Sequence, residues 1–242
     1  MNNIKYSGLE SKRFNLEIFR GSMDVFDIDY LRGLYSQNNP DILIFRVPVG
    51  EQHKLHLLNT LDKDVINADT LVYYQVDLNK TEYRPAKNKD LVFNVADSSH
   101  KSIFQDLVPK IFHNYTTHYL SNPLLDPQKI TEGYMEWAIN SIDAPDNLHL
   151  LVYLHQKPVA FITCCNDATS AEIILNGVLP EYQSQGIYTD VLRYVKAHYH
   201  QMQIPLLKIS TQIQNFAVQK AWNREGLALN SAYVTIHLNK RQ

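Results

Sequence analysis

Cysteine is scarce in this chain: there are two in 242 residues, and they are neighbours, Cys164-Cys165. Adjacent side chains on a strand point to opposite faces and rarely bridge. No disulfide framework is expected, and a reducing, cytoplasmic compartment is the simpler expectation. Both thiols sit in an apolar run with no adjacent base, which marks them as buried and inert rather than nucleophilic. No metal-ligand spacing is visible, so no metal is expected. Net charge is also small: 23 Lys and Arg against 25 Asp and Glu give −2. That balance offers no electrostatic reason to expect a nucleic acid as partner. Long hydrophobic runs are missing as well. The greasiest stretch, Leu150-Leu151-Val152-Tyr153-Leu154, falls far short of the ~20 residues that cross a bilayer. The start, Met1-Asn2-Asn3-Ile4-Lys5, has no apolar signal core. No membrane contact is expected.

What is present is enough chain for one large domain or two modest ones with a sizeable core. Tyrosine is plentiful, at 15 residues; it can serve a core or a binding surface, and composition does not choose.

Hydrophobic periodicity predicts an alternation of helices and strands. The first part reads as a strand over 14–19, a helix Asp24–Ser36, a buried strand Asp41–Val47, a helix Glu51–Leu61 and a strand Leu71–Leu78. The helix Glu51–Leu61 rests on Leu55, Leu58 and Leu61 at i, i+3, i+6. Asn79–Asp90 is polar with one proline and reads as a linker between domains 1–80 and 91–242. Beyond it come a strand Leu91–Val95, a helix from Ser98/Ser99 to Phe112, a loop 113–126, and a helix from Pro127 through Ile142. Strands Leu148–Leu154, Val159–Cys165 and Ala171–Val178 follow, then a helix Gly186–Met202 and a strand Pro205–Ser210. A helix led by Asn215 and ended at Gly226 precedes a last strand, Tyr233–Leu238. The order helix, strand, helix, strand occurs in both 24–78 and 186–238. It reads either as a degenerate half-repeat or as ordinary alternation with no shared origin.

Two short runs carry chemistry. Gln183-Ser184-Gln185-Gly186-Ile187-Tyr188 turns from a strand into a helix. Backbone N–H groups at such a turn form a ready pyrophosphate site, although a lone Gly there is more often just a turn. Asn215-Phe216-Ala217-Val218-Gln219-Lys220-Ala221-Trp222 opens a second helix. Its plain reading is a cap at Asn215 and a core residue at Trp222. Gly177 in Asn176-Gly177-Val178 marks either a close approach of another segment or a β-bulge. Between 113 and 122, His113, Tyr115, His118, Tyr119 and Asn122 supply rings and hydrogen-bonding groups suited to a sugar. A neutral His beside an attacking amine can take its proton, and spacing does not choose between His113 and His118. Glu132 and Glu136, one helical turn apart, are the other acid–base candidates, or a solvated face.

These runs resemble the GNAT superfamily of acyl-CoA-dependent N-acyltransferases. Gln183 and Gly186 match its Gln/Arg-x-x-Gly-x-Gly/Ala turn, while Tyr188 replaces the final small residue. Asn215–Trp222 resembles its Asn-x-x-Ala-x-x-x-Tyr helix, with Trp222 in place of Tyr. Asn114–Leu125, Gly133–Ala138 and Ser210–Trp222 are further similar to nucleotide-sugar N-acyltransferases of that superfamily. The resemblance covers 91–242 and implies a GNAT α+β fold with a mixed sheet, and a smaller, degenerate GNAT-like half before it. It implies acyl-CoA as co-substrate, held by Leu175, Gly177, Val178, Gln183, Ser184, Gln185, Gly186, Ile187, Tyr188, Asn215 and Trp222. The Val178 N–H would polarise the thioester carbonyl, Asn176 would face the cleft, and His118 or His113 would serve the amine. Tyr115, His118, Tyr119 and Asn122 would hold a dTDP-3-amino-3,6-dideoxyhexose. The implied reaction is direct transfer of acetyl or 3-hydroxybutanoyl in a ternary complex, for cell-surface polysaccharide. Indole N–H cannot act as an acid, so the departure at Trp222 leaves any proton donor to the thiolate open. A peptide N-acetyltransferase and a non-catalytic CoA or nucleotide-sugar module are the alternatives, and a homodimer is compatible with the strand-rich carboxyl end.

Overall fold

The computed structural model describes residues 2–140, 142–144 and 147–241. Its strands are β1 (Asn3–Tyr6), β2 (Ile18–Ser22), β3 (Ile42–Pro48), β4 (Lys63–Asp77), β5 (Leu91–Val95), β6 (Asn147–Leu154), β7 (Lys157–Asn166), β8 (Ser170–Val178), β9 (Leu206–Gln212) and β10 (Ala228–Lys240). Its α-helices are α1 (Gly8–Phe14), α2 (Ile28–Asn38), α3 (Lys101–Phe112), α4 (Pro127–Asn140), α5 (Ile187–Gln201) and α6 (Phe216–Arg224). The result is a mixed α/β fold, as the pattern of elements predicted. Ser141, inside the helix expected through Ile142, lies outside the described residues.

Contacts divide the chain into two compact units. The first gathers Met1–Val72, Thr116–Ile130 and Ser231–Gln242; the second gathers Tyr73–Tyr115 and Thr131–Asn230. The amino-terminal piece thus forms the bulk of the first unit but is completed by two later segments. β4 and β10 contribute residues to both.

In the first unit the hydrogen-bonded strand order is β1-β2-β3-β10-β4. β2 and β3 are parallel; β1/β2 and β3/β10 are antiparallel. One face of this sheet is apolar: Leu43, Phe45 and Val47 of β3 and Val234, Ile236 and Leu238 of β10 pack with Leu31 of α2 and with Leu58. The alternate residues of β10, Thr235, His237 and Asn239, face the other way and are also buried. α2 starts at a true cap, the Asp27 carboxylate accepting from the N–H groups of Asp29 and Tyr30.

Sequence periodicity misplaced elements here for identifiable reasons. The segment around Leu55, Leu58 and Leu61 is a 3-10 helix, Val49–Thr60, and the spacing of three is the 3-10 repeat rather than the α repeat. β2 begins at Ile18 rather than 14, because α1 occupies Gly8–Phe14 and ends on Asn15 in the left-handed region (φ 57°). β4 and β10 run well beyond the expected Leu71–Leu78 and Tyr233–Leu238.

In the second unit the order is β4-β9-β8-β7-β6-β5. β8/β9 is parallel, and β5/β6, β6/β7 and β7/β8 are antiparallel. α3 covers the sheet with Phe104, Leu107, Val108 and Phe112, a helical stripe that meets Leu151 of β6, Phe161 of β7 and Leu175 of β8. The expected linker 79–90 is tied down: the Asp190 carboxylate accepts from the N–H groups of Lys87 (2.8 Å) and Asn88 (2.9 Å). Among the described residues, no helix is long and apolar enough to cross a membrane, and no group of three or more His, Cys, Asp or Glu is placed to hold a metal ion.

Candidate functional site

β8 and β9 pair only from Ser170/Leu206 to Ile173/Ile209. Beyond that point β8 keeps its other partner, β7, through Ala160/Val178. The divergence coincides with a β-bulge: Thr163 faces Leu175 and Cys164 faces Ile173, which leaves Ile174 as the extra residue. The bulge is therefore at Ile174 and not at Gly177. Gly177 answers the other expectation, close approach. A Cβ there would lie 2.3 Å from Cγ2 of Ile111 on α3. That places the open side of Gly177 against protein and corrects its assignment as a ligand-facing position.

Backbone direction follows from two hydrogen bonds. Leu175 N–H donates to Thr163 Oγ1 (3.1 Å) and Leu179 N–H to Val159 O (2.9 Å), both toward β7. Alternation along the strand turns Gly177 N–H the same way and the N–H groups of Asn176 and Val178 the opposite way. They point into the gap that β9 has left.

The turn after β8 is tied to it, because Gln183 Nε2 donates to Val178 O (3.1 Å). Ser184 (φ 62°) and Gly186 (φ 82°) both take left-handed backbone, and α5 starts at Ile187. Only glycine adopts such a φ at little cost, and a Cβ on Gly186 would meet nothing within 4 Å, so the space beside it is open. Gln183, Ser184, Gln185 and Gly186 are exposed. Among the described residues no acceptor takes the N–H groups of Ser184, Gln185, Gly186, Ile187 or Tyr188. Five unpaired donors at the positive end of a 15-residue helix form a site that an anion fits.

Comparison with known proteins bears on the same segment. Residues 111–227 match the acetyltransferase (GNAT) family. The fold is that of the GNAT acetyltransferases. A GCN5-related N-acetyltransferase from Sphaerobacter thermophilus superposes with a TM-score of 0.61 at 13% identity, over 83% of this chain and 60% of that one. A functionally unknown conserved protein from Staphylococcus epidermidis gives 0.61 at 15% identity, over 93% of this chain and 85% of that one. A tandem GNAT protein from the clavulanic acid biosynthesis pathway gives 0.53 at 11%, over 86% and 67%. No curated protein matches the sequence.

In this segment Trp222 is core, 1% exposed. Its Nε1–H donates to the Tyr188 hydroxyl at 2.8 Å, and its ring meets Tyr74 edge-on. Tyr188 is half-buried, and the indole fixes the place of its hydroxyl. Because indole only donates, the phenol oxygen is the acceptor and its own proton has no acceptor among the described residues. Burial holds that phenol well above its ordinary pKa, against the opposing pull of the indole bond. Tyr115 donates to Gln212 Oε1 at the end of β9 and packs edge-on against Phe112 and Tyr134. Asn215 holds the N-cap position of α6, but its side chain caps nothing: Nδ2 donates to Thr211 Oγ1 (3.1 Å). His113 is exposed at the end of α3. Burial raises the thiol pKa of both Cys164 and Cys165, which leaves neither a nucleophile.

Beneath the turn, α5 carries a buried ionic group. Arg193 donates to both oxygens of Glu225 (Nε 3.1 Å, Nη2 2.7 Å), and Lys196 Nζ donates to Glu225 O (2.6 Å). Arg193 also lies 3.5 Å from Asp190 and donates to Pro85 O (3.2 Å). Two cations meet two carboxylates, and the helix is locked to the end of α6 and to the 85–88 segment. Burial alone would raise the Glu225 carboxyl; the Arg193 bonds and the Arg193 and Lys196 charges outweigh it and hold the pKa below the ordinary value.

The remaining predicted residues lie in the first unit. His118 and Asn122 are buried, and Tyr119 is half-buried. Tyr119 donates to Glu10, and Arg20 donates to both Glu10 (2.8 Å) and the Tyr119 oxygen (2.6 Å). His118 pairs with His237, and Asn122 with His237 and Asn239. The run 113–122, expected as one acceptor loop, is thus divided: His113 and Tyr115 belong to the second unit, His118, Tyr119 and Asn122 to the first. Sequence reasoning missed Tyr74, Gln212, Asp190 and Glu225 in the second unit and Arg46 and His237 in the first. The alternation Tyr233, Thr235, His237, Asn239 was a usable signal for His237, since it marks a polar strand face.

Proposed function

We propose that the chain is an acyl-CoA-dependent N-acyltransferase whose acceptor is the amine of a dTDP-3-amino-3,6-dideoxyhexose. The observation that carries the first half is the departure of β8 from β9 after Ile173, with the Asn176 and Val178 N–H groups aimed into the gap. The turn 184–188, exposed over Ser184 to Gly186, continues directly from it. A pyrophosphate on the free amides of the turn would send the pantetheine arm along β8, where its amide groups meet the unpaired backbone of Asn176 and Val178. Negative charge develops on the thioester oxygen during acyl transfer, and the fixed Val178 N–H would stabilise it. The amine attacks the carbonyl carbon, the C–S bond breaks, the nitrogen gives up one proton to water, and the thiolate takes one. Tyr188 holds one with no other acceptor among the described residues, which would supply the donor that Trp222 cannot be.

The amino-sugar half rests on the likeness of 114–125, 133–138 and 210–222 to nucleotide-sugar N-acyltransferases. The first unit reads as the degenerate GNAT-like half, a reading that the likeness to a tandem GNAT protein supports. The test is thiol release from acetyl-CoA by pure protein with a panel of dTDP-amino sugars and peptides. Release with the sugars alone is expected. Release only with peptides would overturn the acceptor, and CoA binding without release on any amine would leave a binding module.

A further inference from the structure

The first unit holds a proton relay whose direction is set by the backbone. Leu124 N–H donates to Asn122 Oδ1 (3.1 Å), as does Asn239 Nδ2 (2.9 Å). The Asn122 oxygen is thereby fixed as acceptor, so the nitrogen that faces His237 Nδ1 at 3.0 Å is a donor. His237 Nδ1 must then carry a lone pair, and its proton is on Nε2. That proton is given to His118 Nδ1, 2.9 Å away. His118 Nδ1 is an acceptor in turn, and its proton is on Nε2. Neutral His118 therefore presents an N–H outward, which makes it a donor and not a base. Its Nε2 has no protein partner among the described residues.

Strand register places a cation beside it. His237 and Arg20 both face Ile44, and Thr235 faces Arg46, so Arg20, Arg46, Thr235 and His237 share one face of the sheet. Diagonal neighbours on such a face are ~7–8 Å apart. Arg20 is engaged by Glu10 and Tyr119. Arg46 makes one long bond, Nε to Thr235 Oγ1 (3.4 Å), and its two terminal nitrogens have no partner among the described residues. Among the described residues Asp69 makes no ion pair with it, and burial shifts Asp69 toward its neutral form despite the hydrogen bond of Thr235 and the charges of Arg46 and Arg20.

We infer that His118 Nε2–H and the free edge of Arg46 together bind a phosphoryl oxyanion, with His118 as a positioning donor held in one tautomer by Asn122 and His237. Burial lowers the pKa of both rings, His237 to about 4, with Arg20 next in effect on each, so the relay stays neutral at ordinary pH.

Long-range imidazole 1H–15N spectra on the full chain test it, with inorganic pyrophosphate as probe. The site-specific readout separates this site from the turn at 184–188. Both rings are expected as Nε2–H tautomers, with pyrophosphate shifting the His118 Nε2–H signal and Arg46→Gln weakening that effect about tenfold. A His118 with its proton on Nδ1, an unmoved signal, or an Arg46→Gln titration like the wild type would each overturn the proposal.

Discussion

Glu225→Gln removes one charge from a nearly dry site and turns one of the two oxygens that accept from Arg193 into a donor. The side chains of Arg193 and Glu225 are 7% and 3% exposed, and those of Lys196 and Asp190 are 6% and 3%. After the substitution two buried cations face one carboxylate, and that carboxylate is 3.5 Å from Arg193. Breaking a buried pair by removing one partner costs about 3–5 kcal/mol. With a guanidinium slope of roughly 5–6 kcal/mol/M for a chain of this length, the midpoint should fall by roughly 0.5–1 M. Trp222 and Trp137 both lie in the second unit, so tryptophan fluorescence follows the unit that the change affects. The folded-state pKa of Glu225 is depressed, so its contribution is present above the unfolded carboxylate pKa and disappears as pH falls through the folded value. The gap between wild type and variant should therefore be full at neutral pH and close in acid. A midpoint shift below about 0.2 M at neutral pH, or a gap that persists in acid, would refute the reasoning.

Gly186→Glu should abolish measurable coenzyme A binding in calorimetry, because it puts a carboxylate beside the turn amides and forces a side chain into φ 82°; wild-type affinity would mean that the phosphates sit elsewhere. Gly177→Ala should destabilise the second unit by about 1–3 kcal/mol, since its Cβ would overlap Ile111, and Ile111→Ala in the same chain should recover part of that loss. Tyr188→Phe should lower kcat for thiol release about a hundredfold with coenzyme A affinity within about threefold; unchanged kcat would remove Tyr188 as the proton donor.

The second unit was more legible than the first because its elements obey one period each. The α3 stripe at Phe104, Leu107, Val108 and Phe112 and the continuous apolar strands of β6 and β7 leave little choice of structure. The turn was legible through Gly186, the residue that its φ demands. What sequence could not supply was the partner of each side chain. Trp222 read as core and is core, but nothing in its spacing told that its N–H would meet Tyr188, 34 residues earlier in the chain. The loop 113–122 looked like one surface because proximity in sequence was its only argument. The strand β10 returns to the first unit and collects His118 and Asn122 through His237 and Asn239, contacts 115 to 119 residues apart. Burial of Thr235 and His237 on what alternation marks as the polar face is likewise a property of what packs over it.

Backbone amide spectra during titration with coenzyme A address the central claim most directly. The account predicts that the amides of Ser184 to Tyr188, together with those of Asn176 and Val178, shift in proportion to ligand bound. Saturable binding that moves amides elsewhere and leaves these seven unchanged would contradict it.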